Sequence, residues 1–585
     1  MGDLVHISGA PPFPFGSIAR HGRGKFVLYR GVDPLNLGSH EGQAYLLEMA
    51  PFDAGIVQSF AGPPWPFGSI PRRVPRHWTN TGQAVTIYPA CTGNAARSTA
   101  SDDVPADTVV PGKLSGLFNY EIALWSGSDP TSGGQATVGI LELIDPDGGL
   151  DDLRTLGWDG APVVLRRGDP QSYFSTFTVF ARLSAAGLRS NLRRKEILLR
   201  DQAWALQQAE LHGQRYLGTG GIEGPTELKG QIKPIGLGPV FNATPKLINV
   251  AKLIYQVSFT SILAVDAVKD GGSGLAADTD YPTYAALEAA TVAAGDYATC
   301  LAQGLVRLGA IPVSVCTVDF RGDNDALAGG AYPHTRGQIV RRIACGRGAV
   351  RLSDPTDIDT ASFEALETWQ PATLGYYWDK EITKAAAIAE VMAGCAGWWT
   401  VRLDGKLAAG QIEDPALAVP DFSLSYPAEE TTAEVRVDEP AMTDYKPPRR
   451  TTIMGWRRNY TPLEDNQILG AAQADTAILK AESSYVTAED SWVAAAFPTS
   501  GVVTVQGGFT AEADAERECN RQSRLFRTVR ETYDIPAVID PFADVVARVV
   551  NVENGGRIGL GAARKLFIYG IAVNANAKPI LRGWG

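Results

Sequence analysis

The sequence predicts a β-rich α+β chain of several domains, with antiparallel β-barrel domains and mixed α/β insertion domains. Three observations carry that prediction. At 585 residues the chain has room for about three to five domains, because one domain spans roughly 100–200 residues. Its 62 glycines and 37 prolines favour many turns and short strands over long helices. Short alternating runs separated by tight turns fill much of the first 215 residues.

Taken in order, residues 11–18 (PPFPFGSI) recur as 63–70 (PPWPFGSI), an offset of 63 − 11 = 52 residues. Arg20, His21 and Arg23 follow the first copy; Arg72, Arg73 and Arg76 follow the second. Proline fixes φ and removes backbone donors, so each copy is expected to be a stiff, extended segment presenting two aromatics. Two readings stand: partner contacts through Phe13, Phe15, Trp65, Phe67, Arg72 and Arg73, or turns that plug a barrel end within one chain.

Residues 76–215 continue as β-structure. Alternation at 85–88 (VTIY), a polar insert at 91–111, and runs at 118–125, 136–143, 163–167 and 172–183 suit an antiparallel barrel. In 139–160 (GILELIDPDGGLDDLRTLGWDG) a strand through Ile140, Leu141 and Leu143 meets a Pro-Asp-Gly-Gly turn at 146–149. A second turn at 158–160 opens the next strand. Residues 196–212 have a helical composition. A Gly/Pro linker follows at 218–240, then strands at 247–257 and 262–268 with a Gly-rich turn at 270–274. A short helix is expected from about Tyr284, with strands after it.

Helical spacing recurs at 335–347 through Ile339, Val340 and Ile343, and at 380–394 through Ala385, Ile388 and Val391. Residues 398–407 read as a hairpin around Asp404-Gly405. Helices are expected at 467–487 and 510–533, and closing β-structure at 544–552 and 565–584. The segments divide as 1–215, an N-terminal β-barrel-type domain with the Pro-aromatic loops; 216–310, linker and second β-rich domain; 311–430, mixed α/β; and 431–585, helical segments and a terminal β-element.

Composition narrows the chemistry. No apolar run reaches the roughly 18 residues that cross a bilayer, and residues 1–9 carry no secretory pattern. Synthesis in a cytoplasm with no membrane segment is the expectation. The six cysteines are scattered with no C-x-x-C pair, which fits buried thiols in a reduced compartment better than a metal site. A formal charge of −11 argues against a grip on nucleic acid, which needs clustered Lys and Arg.

The motifs that could carry catalysis are incomplete. Gly218, Gly220, Gly221 and Gly224 miss the dinucleotide pattern because Glu223 stands where the third Gly belongs. Asp145, Asp147, Asp151 and Asp152 lack the Gly position and terminal Glu of a calcium loop. Asp319, Asp323 and Asp325 form a second acidic turn. No G-x-S-x-G or H-E-x-x-H accompanies His212 or His334. The basic runs 193–195 and 446–450 read as solvated loops or subunit contacts. The expectation is no catalytic residue, no metal and no cofactor.

Segment 139–160, the later 218–242 (GTGGIEGPTELKGQIKPIGLGPVFN), and the runs 247–257, 295–322 and 558–585 together resemble, in order and spacing, the central hub proteins at the tail tip of long-tailed bacteriophages, which are related to contractile-phage baseplate hubs. The resemblance covers most of the chain, and the first sixty residues fit it least. It makes 196–201 the last barrel strand, followed by a turn. It implies a homotrimer with two barrel-like domains per chain, so that three chains form a pseudo-sixfold ring joining a sixfold tail tube to a threefold tip. Implied partners are distal tail or tube-end proteins, the tape measure protein and tail fibre or tip proteins, with viral DNA passing through unbound. The implied location is the virion tail tip. The alternative is a virion-associated or secreted polysaccharide- or peptidoglycan-degrading enzyme, whose signature would be two carboxylates about 5–10 Å apart.

Overall fold

The computed structural model describes residues 138–168, 173–425, 435–540, 542–553, 563–574 and 578–585, with shorter stretches upstream, chiefly 112–115 and 119–125 and the backbone of several strands from Phe26 onward. The described chain is β-rich, with several antiparallel sheets.

The largest sheet begins with the expected strand–turn–strand. Strand Val138–Ile144 pairs antiparallel with Arg194–Arg200, setting Leu141 opposite Ile197 and Leu143 opposite Lys195. Leu141 and Leu143 are buried while Ile140 and Ile144 are exposed, the two-residue period of a strand with one face on a core. The turn at 146–149 places Gly148 at φ +73°, a conformation that glycine adopts without a Cβ penalty.

An early strand and a late strand of the chain meet in this sheet. Strand Asn119–Ala123 pairs with Val138–Ile144 on one edge and with Ala563–Val573 on the other. Leu141, Val163 and Ile197 therefore share one core with Val550, Ile568 and Leu581. Beside it Trp125 stacks on Tyr569 at 4.8 Å and meets Trp584 edge-on at 6.3 Å, geometries that favour aromatic pairs beyond their buried area. The hydrogen-bonded order runs from Phe26–Arg30 through Ala563–Val573 to Val435–Arg436, with a branch at Ala563–Val573 to Ile580–Trp584. Among the described residues no ladder closes it into the expected barrel.

The middle of the chain builds two five-stranded sheets. One is centred on Cys316–Gly322 between Ile262–Asp270 and Ile235–Ala243; the other is centred on Leu305–Leu308 between Ile254–Gln256 and Asp296–Cys300. Helix Tyr284–Ala289 starts where expected, capped by Thr283 accepting from the Ala286 N–H. Helix Arg336–Arg341 opens on a Thr335/Gln338 capping box and continues as a π-helical turn, Arg342–Gly346. Helix Lys384–Ala393 lies on its Ala/Ile/Val face. The hairpin Gly397–Val401 with Leu407–Gln411 turns at Gly405, φ +86°.

Several expectations change. Residues 247–257 divide into Lys246–Asn249 and Ile254–Gln256, with Leu253 at φ +50° in the turn between. Residues 467–487 are not one helix: a 3₁₀ turn and the short helix Thr476–Lys480 lead into strand Ser484–Glu489. That strand pairs with Thr451–Trp456, so Tyr485 and Val486 follow their β-preference once a partner strand is present. The next helix, Glu512–Phe526, stops short, and Arg530–Pro536 is a strand. Helices Ala203–Gln208 and Thr360–Trp369 are additions; the first stands where a turn is expected. Among the described residues no helix is long and apolar enough to cross a membrane.

Candidate functional site: a charged joint and two apolar surfaces

Residues 209–233 leave the large sheet and enter the middle sheets, and they are held along their length. The Leu211 N–H donates to the Ile382 carbonyl, and the Lys384 N–H to that of Ala209. His212 is buried, with Nε2 3.0 Å from the Trp378 carbonyl oxygen and Nδ1 without a hydrogen-bond partner. Burial holds its pKa below the usual imidazole range, against the opposing pull of that carbonyl and of Glu210 and Asp379. Gly213 sits at φ +65° with a would-be Cβ 3.1 Å from the Gly348 Cα, so a side chain there would strain both segments.

Glu223, the residue that spoils the nucleotide motif, anchors the linker. It accepts from the Leu217 N–H at 3.1 Å and from Lys233 at 2.6 Å. Burial raises its pKa, yet these two donors outweigh burial and hold the carboxyl below its usual range. The linker is therefore built as a strap.

Both acidic turns face cations distant in sequence. Asp145 is buried, accepts from the Leu150 N–H at 3.1 Å, and faces Lys195 at 3.0 Å and Lys113 at 3.8 Å. Lys195 also holds Asp151 at 2.8 Å. In the second turn Asp319 takes Lys269 at 2.6 Å. Asp323, fully buried, takes Arg342 and Arg347, the latter through Nε at 2.8 Å. Asp325 also pairs with Arg347. The π-helical turn presents Arg342, whose Nε donates to Ala328 at 2.8 Å. Among the described residues no cluster of three or more side chains could hold a metal ion.

Lys384 is the most perturbed cation near the joint. Its amine is fully buried and donates to the Ala344 and Val350 carbonyls, and burial pushes its pKa down to about 8. A lowered lysine pKa can mark a nucleophile. Here the amine is sealed from solvent and tied to carbonyls, the geometry of a strut.

Several residues singled out in the sequence behave otherwise than expected. Lys195 in the run 193–195 is fully buried, and Arg449 in 446–450 is buried with its guanidinium 3.6 Å from the Phe526 ring centroid. Neither run is simply a solvated loop; opposite charge and an aromatic face draw these cations inward. His334 bonds the Tyr332 carbonyl through Nδ1 at 2.9 Å and lies far in sequence from His212. Phe13, Phe15, Trp65, Phe67, Arg72 and Arg73 lie outside the described residues.

Two surface features are absent from the sequence reading. One is an open groove of about 740 Å³ lined by Ile140, Leu198, Trp204, Val573 and Ile580. The other is the loop 415–420, where Leu417 and Val419 are 86 % and 88 % exposed.

The sequence matches no family model and is significantly similar to no curated protein. Solved structures that match the chain include phage tail proteins, at low TM-scores and minimal identity. A tail protein from Neisseria meningitidis MC58 matches over 80 % of this chain and 91 % of its own, with 9 % identity and a TM-score of 0.31. The 43 kDa tail protein of prophage MuSo2 from Shewanella oneidensis matches over 82 % and 95 %, with 10 % identity and a TM-score of 0.28. An E. coli type VI secretion component, described as structurally similar to the T4 tail proteins gp27 and gp5, matches over 81 % and 75 %, with 8 % identity and a TM-score of 0.30.

Proposed function

We propose that this chain is a structural hub of a bacteriophage tail tip, joining the tube end to the tip and scaffolding fibres around the DNA exit. The observation that carries the reading is where its two hub-like segments fall. Segment 139–160 supplies the strand and turns at the centre of the large sheet, and segment 218–242 spans the later part of the strap and most of strand Ile235–Ala243 of a middle sheet. The order of the two segments along the chain supports the reading. In this reading three copies form a ring, each carrying the four segments 1–215, 216–310, 311–430 and 431–585. Tube-end, tape measure and fibre or tip proteins are its neighbours in the virion, after synthesis in the host cytoplasm. DNA passes a wall of mostly acidic and neutral side chains, because basic linings would hold phosphate.

The enzymatic alternative needs a free carboxylate pair. Asp145, Asp147 and Asp151 of the first acidic turn and Asp319, Asp323 and Asp325 of the second are each engaged by lysine or arginine, so these six do not favour it over the hub. Imaging of whole particles tests the proposal: three copies of this chain at the tip support it, while two, four or six refute it. Incubation with peptidoglycan and polysaccharides tests the alternative, and bond cleavage there would overturn the non-enzymatic reading.

A further inference from the structure

A cavity of about 150 Å³ lies where the hairpin Gly397–Val401 with Leu407–Gln411 covers the large sheet. The hairpin is fixed there by the Arg182 N–H, which donates to the Leu403 carbonyl at 2.6 Å. Along its first strand Trp399 and Val401 face the core shared with Leu407 and Ala409. Strand alternation turns Trp398 and Thr400 to the opposite side, and both line the cavity.

The far wall belongs to the sheet. Tyr120 reaches the cavity from Asn119–Ala123, Phe180 from Thr178–Ser190 and Ile571 from Ala563–Val573. Phe542 enters from the chain just before Val549–Glu553. Its ring stacks on Tyr120 at 5.9 Å between centroids, with 11° between the planes, and lies 4.3 Å from the Phe180 centroid. With Trp398 on the hairpin side, the lining is aromatic on both sides.

The charged groups at the cavity are already engaged. Arg402 pairs with Asp359 at 3.1 Å and with Asp544 at 3.2 Å. The Asp404 carboxylate accepts from the Lys406 N–H at 3.0 Å. The Thr400 hydroxyl is different: it is buried, on a residue only 3 % exposed, and has no hydrogen-bond partner. Burying a hydroxyl without a partner is unfavourable, and a ligand able to bond it recovers that loss.

We propose that this cavity binds a small uncharged aromatic molecule carrying one hydroxyl, with its ring among Tyr120, Phe180 and Phe542 and its hydroxyl on Thr400. The size fits, since apolar cavities of about 150 Å³ admit a benzene ring. The paired charges of Arg402 and Asp544 offer nothing to an ionic ligand. Water competes poorly, because a buried water makes about three hydrogen bonds and the Thr400 hydroxyl supplies one. The site is independent of how many copies of the chain assemble.

Phenol and benzene are the probes, titrated into the whole protein with its isoleucine methyl groups labelled for NMR. Phenol should shift the methyl resonances of Ile122 and Ile571, which line the cavity, and leave that of Ile388, buried in another core, unmoved. It should bind about fivefold more tightly than benzene, the worth of one uncharged hydrogen bond. Thr400→Val keeps the shape, removes the hydroxyl and should leave the melting temperature unchanged or slightly raised. In that variant benzene should bind as before and phenol should lose its advantage. Shifts at neither methyl with either probe, or a preference for phenol that survives in Thr400→Val, overturn the proposal. If Thr400→Val does not fold, the parent decides alone: a fivefold advantage of phenol at these methyls upholds the site, and phenol no tighter than benzene overturns it.

Discussion

Ile122 and Ile571 are direct cross-strand partners, 571 − 122 = 449 residues apart in the chain. Both are buried, at 5 % and 1 % exposure, and both belong to the core that also holds Leu141, Val163 and Leu581. The C-terminal strands are thus structural members of the sheet that the early strands begin. Ile571→Ala should cost about 2–5 kcal/mol, the range for truncating a buried aliphatic that leaves a cavity. The loss should appear in strands Val138–Ile144 and Ala563–Val573 together. Hydrogen exchange on the variant checks this: faster exchange confined to one of the two strands would show that they do not unfold as a unit.

Asp323 should be the most sensitive carboxylate of the second acidic turn. It is fully buried between Arg342 and Arg347, and Asp323→Asn would leave two guanidiniums in the interior with one fewer negative charge. Removing one member of a buried ionic group typically costs about 3–5 kcal/mol, mostly from the charge left behind. The urea midpoint should fall accordingly with an unchanged slope. A shift worth less than about 1 kcal/mol would mean that Asp325 and the surrounding carbonyls satisfy both arginines by themselves.

How far the sequence reaches depends on the range of the interaction. Helix Lys384–Ala393 and the hairpin at Asp404-Gly405 are legible because capping, 3.6-residue spacing and turn chemistry are local. Strand Ser484–Glu489 is not, since its ladder to Thr451–Trp456 decides between helix and strand and leaves no nearby mark. The same holds for the site. Glu223 reads in sequence only as the residue that breaks a glycine motif; its partner Lys233 gives it its role. Lys195 reads as part of a basic surface run, and only the fold brings Asp145 and Asp151 to it. Leu417 and Val419 are exposed on a loop that Lys565 ties through the Ala418 carbonyl, a contact too distant in sequence to leave a local mark.

His212 should make the strap acid-sensitive. Its folded-state pKa lies below the ordinary imidazole value because burial disfavours the cation. The unfolded chain therefore binds the proton more readily, and stability rises with pH across the window between the two values. The contribution is complete above about pH 6.5, the unperturbed histidine value, and is lost as pH falls below it. His212→Gln keeps an N–H able to reach the Trp378 carbonyl without a titrating ring. Melting temperatures from pH 7.5 down to 5 should fall more steeply for the parent than for this variant. Parallel curves would mean that the carboxylates near the joint, Glu210 and Asp379, offset the burial of the ring.

The Pro-aromatic repeat should act at a partner surface. In the sequence Phe13, Phe15, Trp65 and Phe67 stand beside prolines, which restrict φ and so would lower the entropy lost on docking. Arginines follow the second copy at Arg72 and Arg73, and aromatic and arginine side chains are the residue types enriched where binding energy concentrates. Two copies per chain in a trimer give six equivalent segments, the number that a sixfold tube end would engage. Trp65→Ala should then leave the isolated protein folded, with an unchanged melting temperature, while tails fail to join in an assembly assay. If the substitution instead lowers the melting temperature by several degrees and assembly falls only in proportion to the folded fraction, the repeat is a barrel-end plug, packed within its own chain.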